Sequence, residues 1–69
     1  MGKIKIGDVV TYVDREGKRH SALVIHNWES CLNIAYVLPD QDDSWGNLIQ
    51  RETSVPFYQE GMSGNYIAT

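Results

Sequence analysis

The chain has 69 residues, a single cysteine and a formal net charge of −3. This length is enough for one small domain with a limited core, and a single cysteine excludes an internal disulfide. The acidic balance argues against a protein that grips the phosphate backbone of duplex nucleic acid, because that task needs clustered lysine and arginine.

No part of the chain, including residues 1–7, carries an apolar stretch as long as a signal peptide or a membrane span. The lone thiol, Cys31, suits a reducing compartment, where disulfides are rare. We therefore expect a cytoplasmic protein that has no contact with a membrane.

The first half of the chain predicts a β-hairpin. Residues 8–14 are rich in β-branched and aromatic side chains, which is typical of a strand. The sequence Asp-Arg-Glu-Gly at 14–17 suits a type I turn followed by a left-handed glycine. A second strand is then expected over residues 18–27.

A third strand is expected over residues 31–38, where side chains alternate with a period of two. The even positions are large and are predicted to face the core: Leu32, Ile34, Tyr36 and Leu38. Pro39 is expected to end this strand, because a proline cannot donate to the hydrogen-bond ladder.

The remaining segments complete the predicted sheet. Residues 40–44 form an acidic, polar stretch that we predict to be a loop. A fourth strand is expected over 48–55 and a short fifth strand over 65–68. Short strands at close spacing, without an amphipathic helix, predict one all-β domain over residues 1–69, a small SH3-like barrel of four to five antiparallel strands.

Two resemblances accompany this pattern. Residues 6–10 (Ile-Gly-Asp-Val-Val), the turn at Gly17 and residues 22–24 (Ala-Leu-Val) resemble the opening of SH3-like, Tudor and KOW-type barrels. The whole chain resembles a family of small bacteriophage and prophage proteins, through segments that include residues 32–37, 51–56 and 64–66. The resemblance implies a phage or mobile-element origin and brings no activity to transfer.

Metal binding is not indicated by the sequence. His20 and His26 are six residues apart on the second strand, so regular alternation predicts one shared face and a separation of ~20 Å, too far for one ion. Residues 40–44 imitate the start of an EF-hand loop, but Trp45 stands where glycine is needed and Arg51 where the bidentate glutamate belongs. We expect no metal and no cofactor.

Catalysis is not indicated either. The potential nucleophiles stand outside any nucleophile elbow, oxyanion loop or triad spacing; they are Cys31, Ser44, Ser54 and Ser63. We therefore expect a protein that acts by binding and is not an enzyme.

The strongest binding signal lies in the second half of the chain. Arg51, Thr53 and Val55 alternate along the fourth strand and are predicted to share a face, which sets a cation beside a hydroxyl. Aromatic side chains and arginine are the commonest contact residues in binding sites. The predicted ligand-binding residues are Trp45, Arg51, Thr53, Ser54, Tyr58, Asn65 and Tyr66.

Two other interpretations of these side chains remain open. In a purely structural one, Trp45 and Phe57 close the ends of the barrel while Arg51 pairs with Glu52 or Asp43. In the other, the neighbouring His26 and Trp28 line a surface groove. These two lie two residues apart on one predicted strand face.

The sequence thus predicts a non-enzymatic, phage-type accessory protein of the host cytosol. As a counter-defence protein it would sequester a small anionic, nucleotide-like signal in a pocket shared between subunits, or block a host protein. The alternatives are a nucleic-acid-binding SH3 or KOW-like module, and a virion or assembly component. Apolar residues on both faces of the second and third strands further predict a homo-oligomer, because one barrel interior cannot bury both sets.

Overall fold

The computed structural model describes residues 3–68, so residues 1, 2 and 69 of the predicted domain lie outside it. Five strands form one sheet: β1 (Val9–Val13), β2 (Arg19–Asn27), β3 (Cys31–Asp43), β4 (Gly46–Pro56) and β5 (Tyr66–Ile67). Their order is β4-β3-β2-β1-β5, and all neighbours are antiparallel. The prediction of an all-β fold with four to five antiparallel strands is confirmed.

The sheet curls into a half-barrel, so that its two ends approach each other. Phe57, just after β4, forms a bridge with Ile67 of β5, and the Tyr58 backbone N–H donates to the Ile67 carbonyl at 3.0 Å. The curl encloses one hydrophobic core on the inner face. Its buried members are Val10, Tyr12, Ala22, Val24, Leu32, Ile34, Tyr36, Val55 and Ile67.

The predicted hairpin turn between β1 and β2 is present. The Asp14 side chain accepts hydrogen bonds from the backbone N–H groups of Glu16 and Lys18, both at 2.9 Å. Gly17 has φ +83°, a left-handed conformation that glycine adopts without a steric penalty. Local turn chemistry therefore explains this part of the fold.

Pro39 does not end the third strand, and the predicted loop at 40–44 is instead part of a hairpin. β3 continues through Pro39 to Asp43, and β4 already begins at Gly46. The pairing is irregular between Val37 and Asp42. Pro39 lies within this irregularity, where its missing N–H breaks no regular ladder.

A bulge in β2 places the two histidines on opposite faces of the sheet. Val24 pairs with Ile34, but His26 pairs with the next residue of β3, Asn33. The extra residue reverses the alternation. His20 therefore packs on the inner face while His26 lies on the outer face, and the prediction of one shared face is wrong.

A second bulge changes the face assignments in β4. Leu32 pairs with Val55 and Ile34 with Glu52, so three steps along β4 match two along β3. Val55 consequently points into the core, whereas Arg51 is exposed. The regular alternation that predicted one face for Arg51, Thr53 and Val55 is therefore wrong across this bulge.

Replacing Ser54 by glycine is expected to stabilise the domain by roughly 0.5–1 kcal/mol. Ser54 has φ +55°, and its backbone N–H, which glycine keeps, donates to Asn33 Oδ1 at 2.8 Å. The midpoint of urea unfolding measures the change. The matched control is Thr53→Gly, expected to destabilise because Thr53 has no positive φ. Equal destabilisation by both glycines would contradict the bulge conformation.

No helix within residues 3–68 is long and apolar enough to cross a membrane.

Candidate functional site

The outer face of the sheet carries an apolar groove. Val9 pairs with Leu23, Leu23 with Ala35, and, one row along, Val37 with Ile49. Paired residues project to the same side of a sheet, so these side chains form a continuous surface opposite the core. The space above them, called here the outer groove, has a volume of about 390 Å³ and is lined by Val9, Ser21, Ala22, Leu23, Ala35, Tyr36, Val37 and Ile49.

The apolar side chains of the outer groove are open to solvent. Val9 is 68% exposed and Ile49 is 61% exposed. On β2 and β3, Leu23 and Val37 are exposed while Val24 and Ile34 are buried, which confirms the sequence prediction of apolar residues on both faces of these strands. Apolar surface that is contiguous, and not scattered singly, commonly marks an interaction site.

Arg51 lies at the rim of the outer groove. It pairs with Ala35 and follows Ile49 by two residues on β4, so it shares their face. Within residues 3–68 the ion pairs are Lys18–Glu16 and His20–Asp14. The predicted structural pairing of Arg51 with Glu52 or Asp43 does not form, and the guanidinium remains available.

Trp45 lies at the tip of the hairpin between β3 and β4. Beyond Tyr36, β3 pairs with β4 alone, and residues 39–48 form an exposed two-stranded extension, called here the ribbon. Trp45 is 94% exposed at its tip, and its backbone N–H donates to Asp43 Oδ1 at 2.8 Å. The structural interpretation that Trp45 closes a barrel end is therefore wrong, whereas Phe57 does pack against the core.

Ser54 belongs to a small polar cluster beside the second bulge. Asn33 Oδ1 accepts both the Ser54 backbone N–H and the indole N–H of Trp28, the latter at 3.0 Å. The ring of Trp28 lies 4.2 Å from that of His26, centroid to centroid. The predicted neighbours His26 and Trp28 do meet. Thr53, adjacent to Ser54 in sequence, is exposed.

The three C-terminal residues of the predicted site lie near β5. The rings of Tyr58 and Tyr66 stand 4.9 Å apart. The Asn65 side-chain amide donates to the hydroxyl of Tyr12 at 3.0 Å and so satisfies a hydrogen-bonding group of a buried side chain. None of the hydrogen bonds, ion pairs or ring contacts within residues 3–68 connects this group to Arg51 or Trp45.

The predicted residues therefore separate into three places. Arg51 borders the outer groove, and Thr53 and Ser54 lie in the bulge beside it; Trp45 stands on the ribbon tip; and Tyr58, Asn65 and Tyr66 lie near β5. Sequence reasoning missed the groove-lining residues as a site, although it predicted apolar residues on both faces of the second and third strands.

An inner polar cluster also escaped prediction. His20 Nε2 donates to Asp14 Oδ2 at 2.8 Å, and its ring lies 4.6 Å from that of Tyr36 and 5.9 Å from that of Tyr12. The hydrogen bond from His20 is the main cause that lowers the pKa of Asp14 below 3.8, and the N–H groups of Lys18 and Glu16 add to it against the opposing effect of burial. This cluster connects the turn between β1 and β2 to the inner face of the sheet and so stabilises the first hairpin.

Burial of Tyr36, a member of this inner cluster, raises the pKa of its phenol above 10.0. The neighbouring Tyr12 and Glu52 add to the shift. The phenol therefore stays neutral at physiological pH. Among the described residues no group of three or more histidine, cysteine, aspartate or glutamate side chains is arranged to hold a metal ion.

The fold defines a small all-β protein with a curled five-stranded sheet that carries an apolar groove on its outer face. No protein-family model matches the chain, and no curated protein or solved structure is significantly similar to it.

Proposed function

We propose that this chain is a non-enzymatic binding protein that acts by stoichiometric contact with another protein through the outer groove. The observation that supports this function is the apolar groove open to solvent, with Arg51 at its rim and in no ion pair within residues 3–68. Keeping apolar side chains such as Val9 and Ile49 in water contributes nothing to folding, and their burial against a partner is favourable.

The groove favours a particular chemistry in its partner. An apolar cavity of 150 Å³ is enough to hold benzene, so a groove of about 390 Å³ has room for an aromatic side chain. The Arg51 guanidinium at the rim suits a carboxylate, with which it forms charge-assisted hydrogen bonds, or the face of an aromatic ring. The expected ligand is an aromatic side chain carried next to an acidic group.

This geometry favours one of the functions expected from the sequence. Blocking a host protein requires an exposed apolar or acidic patch, and the chain has both in the outer groove and the ribbon. Nucleotide capture within one chain requires Arg51 to meet stacking aromatics, but Tyr58 and Tyr66 lie near β5. Backbone binding to nucleic acid requires clustered cations. The arginines placed on this face are Arg51 and, two residues before the groove residue Ser21 on β2, Arg19, and they stand on separate strands. The phage-type accessory role, inferred from resemblance, fits such a protein.

Binding of indole-3-acetate tests the proposed function. In amide-detected NMR of the Trp45→Ala variant, which carries no exposed indole that could compete for the groove, we expect this compound to shift the signals of Leu23, Ala35 and Val37. The expected dissociation constant is on the order of 1 mM, as is typical of a ligand of this size. Tryptamine is the matched control ligand, because it carries the same indole on a cation. It is expected to bind several-fold more weakly.

Two variants locate this binding on the protein. Arg51→Ala should reduce the affinity for indole-3-acetate to that for tryptamine, since only the carboxylate contact is lost. Ile49→Lys should abolish the shifts of both compounds. Shifts confined to residues outside the outer groove, or none at about 10 mM ligand, would refute the proposed function.

A further inference from the structure

We propose that the outer groove receives Trp45 from the ribbon of a second copy of this chain. The inference rests on the proposed function of the groove and names its occupant. It joins two exposed apolar features of one chain, the indole of Trp45 and the outer groove.

The Trp45 side chain buries almost none of its surface against its own chain. Its side chain is 94% exposed at the tip of a two-stranded ribbon, and it belongs to no ring pair within residues 3–68. An isolated two-stranded ribbon is only marginally stable. An exposed indole at its tip adds no buried surface that would stabilise it. Tryptophan is, however, enriched among the residues that dominate binding energy at interfaces.

The ribbon tip matches the chemistry that the outer groove selects. The indole supplies the aromatic group, and Asp43 supplies the carboxylate. Asp43 Oδ1 is held 2.8 Å from the Trp45 backbone nitrogen, which keeps the carboxylate close to the residue that carries the indole. When the indole enters the groove, this carboxylate arrives at the rim occupied by Arg51.

A chain cannot fill its own groove in this way. Trp45 and the groove residue Ile49 are four residues apart along the extended β4 segment, which separates them by ~13 Å. While β4 remains paired with β3, the tip points away from its own groove. The indole must therefore come from another molecule.

Two reciprocal insertions bury the indole of each molecule in the groove of the other. Each chain carries a groove at the base of the ribbon and an indole at its tip. When two chains are related by a two-fold axis and their ribbons lie antiparallel, the tip of each ribbon lies over the base of the partner's ribbon. This closes the assembly as a dimer. Each insertion buries about 150–250 Å² of tryptophan surface, and the acidic ribbons repel each other, so we expect micromolar affinity.

Light scattering across a concentration series tests this dimer. We expect the wild-type chain to pass from monomer to dimer between about 1 and 500 μM. Trp45→Ala and Ile49→Lys should each raise the dissociation constant about 30-fold or more, as for other interface hot spots. Trp28→Phe is the matched control at the other tryptophan and should leave the dimer unchanged. Circular dichroism checks that each variant is folded.

Mixing the two disabled variants gives the sharper result. Trp45→Ala keeps an intact groove and Ile49→Lys keeps an intact indole, so together they can form one insertion. With 5-fluorotryptophan in the Ile49→Lys chain only, the fluorine signal of Trp45 should shift when Trp45→Ala is added, and should not shift when more Ile49→Lys is added.

The possible outcomes separate this inference from the proposed function. A wild-type chain that stays monomeric at about 500 μM, or a Trp45→Ala variant that dimerises as well as wild type, overturns the inference. If the groove of that monomer still binds indole-3-acetate, the proposed function stands without it. If the groove binds neither ligand nor a second copy, both are wrong.

Discussion

Replacing Leu32 by alanine is expected to remove a large part of the stability of the domain. Leu32 is fully buried between β2 and β4, at the centre of the core. Truncating a buried leucine to alanine costs about 2–5 kcal/mol, because transfer free energy is lost and a cavity remains. At ~0.05–0.15 kcal/mol per residue, the whole domain is stable by only about 3–10 kcal/mol. Urea unfolding followed by circular dichroism measures the loss.

Val37→Ala is the matched control for Leu32→Ala. Val37 lies on the same strand but on the outer face, and it is 48% exposed. Its truncation should cost less than about 0.5 kcal/mol in dilute solution, where the outer groove is empty. Similar losses in the two variants would show that the core is not confined to the inner face.

Replacing Asp14 by alanine is expected to cost about 1–3 kcal/mol, because hydrogen bonds to a charged group are stronger than neutral ones. The carboxylate accepts from Glu16 N–H, Lys18 N–H and His20 Nε2. These bonds shape the turn between β1 and β2 and tie it to the inner cluster. The midpoint of urea unfolding at neutral pH measures the cost, and Glu16→Gln, an exposed carboxylate of the same turn, is the control.

Asp14 also makes stability depend on acid pH. Its folded pKa lies below 3.8, so the charged form stabilises the folded state above this pH, and that contribution is lost as pH falls through the folded pKa. The difference in stability between wild type and Asp14→Asn should therefore be full at neutral pH and shrink below 3.8. A difference that stays constant down to pH ~2 would refute this coupling.

Several parts of the fold follow from local sequence signals. The alternation of Leu32, Ile34 and Tyr36 identifies the inward face of β3, because a strand repeats every two residues. The turn at 14–17 follows from an aspartate that can accept backbone N–H bonds and from a glycine that adopts positive φ. Both signals act over a few residues, so they can be recognised without knowledge of the rest of the chain.

The bulges were not predictable in the same way. At residues 24–26, 37–42 and 52–55 the register shifts, and face assignments made by regular alternation fail beyond each shift. A bulge has no strict sequence signature, because its position depends on where the sheet must bend to enclose its core. This is why His26, Pro39 and Val55 differ from their predicted environments.

The candidate site, like the fold, was predictable from the sequence only in part. Local patterning predicts an all-β chain, a hairpin turn at 14–17 and more apolar residues than one interior can bury. That the surplus forms one groove beside Arg51, and that Trp45 stands apart on the ribbon, becomes visible only in the folded chain. Composition and period depend on neighbours in the chain, whereas a groove depends on the register between strands that are distant in sequence.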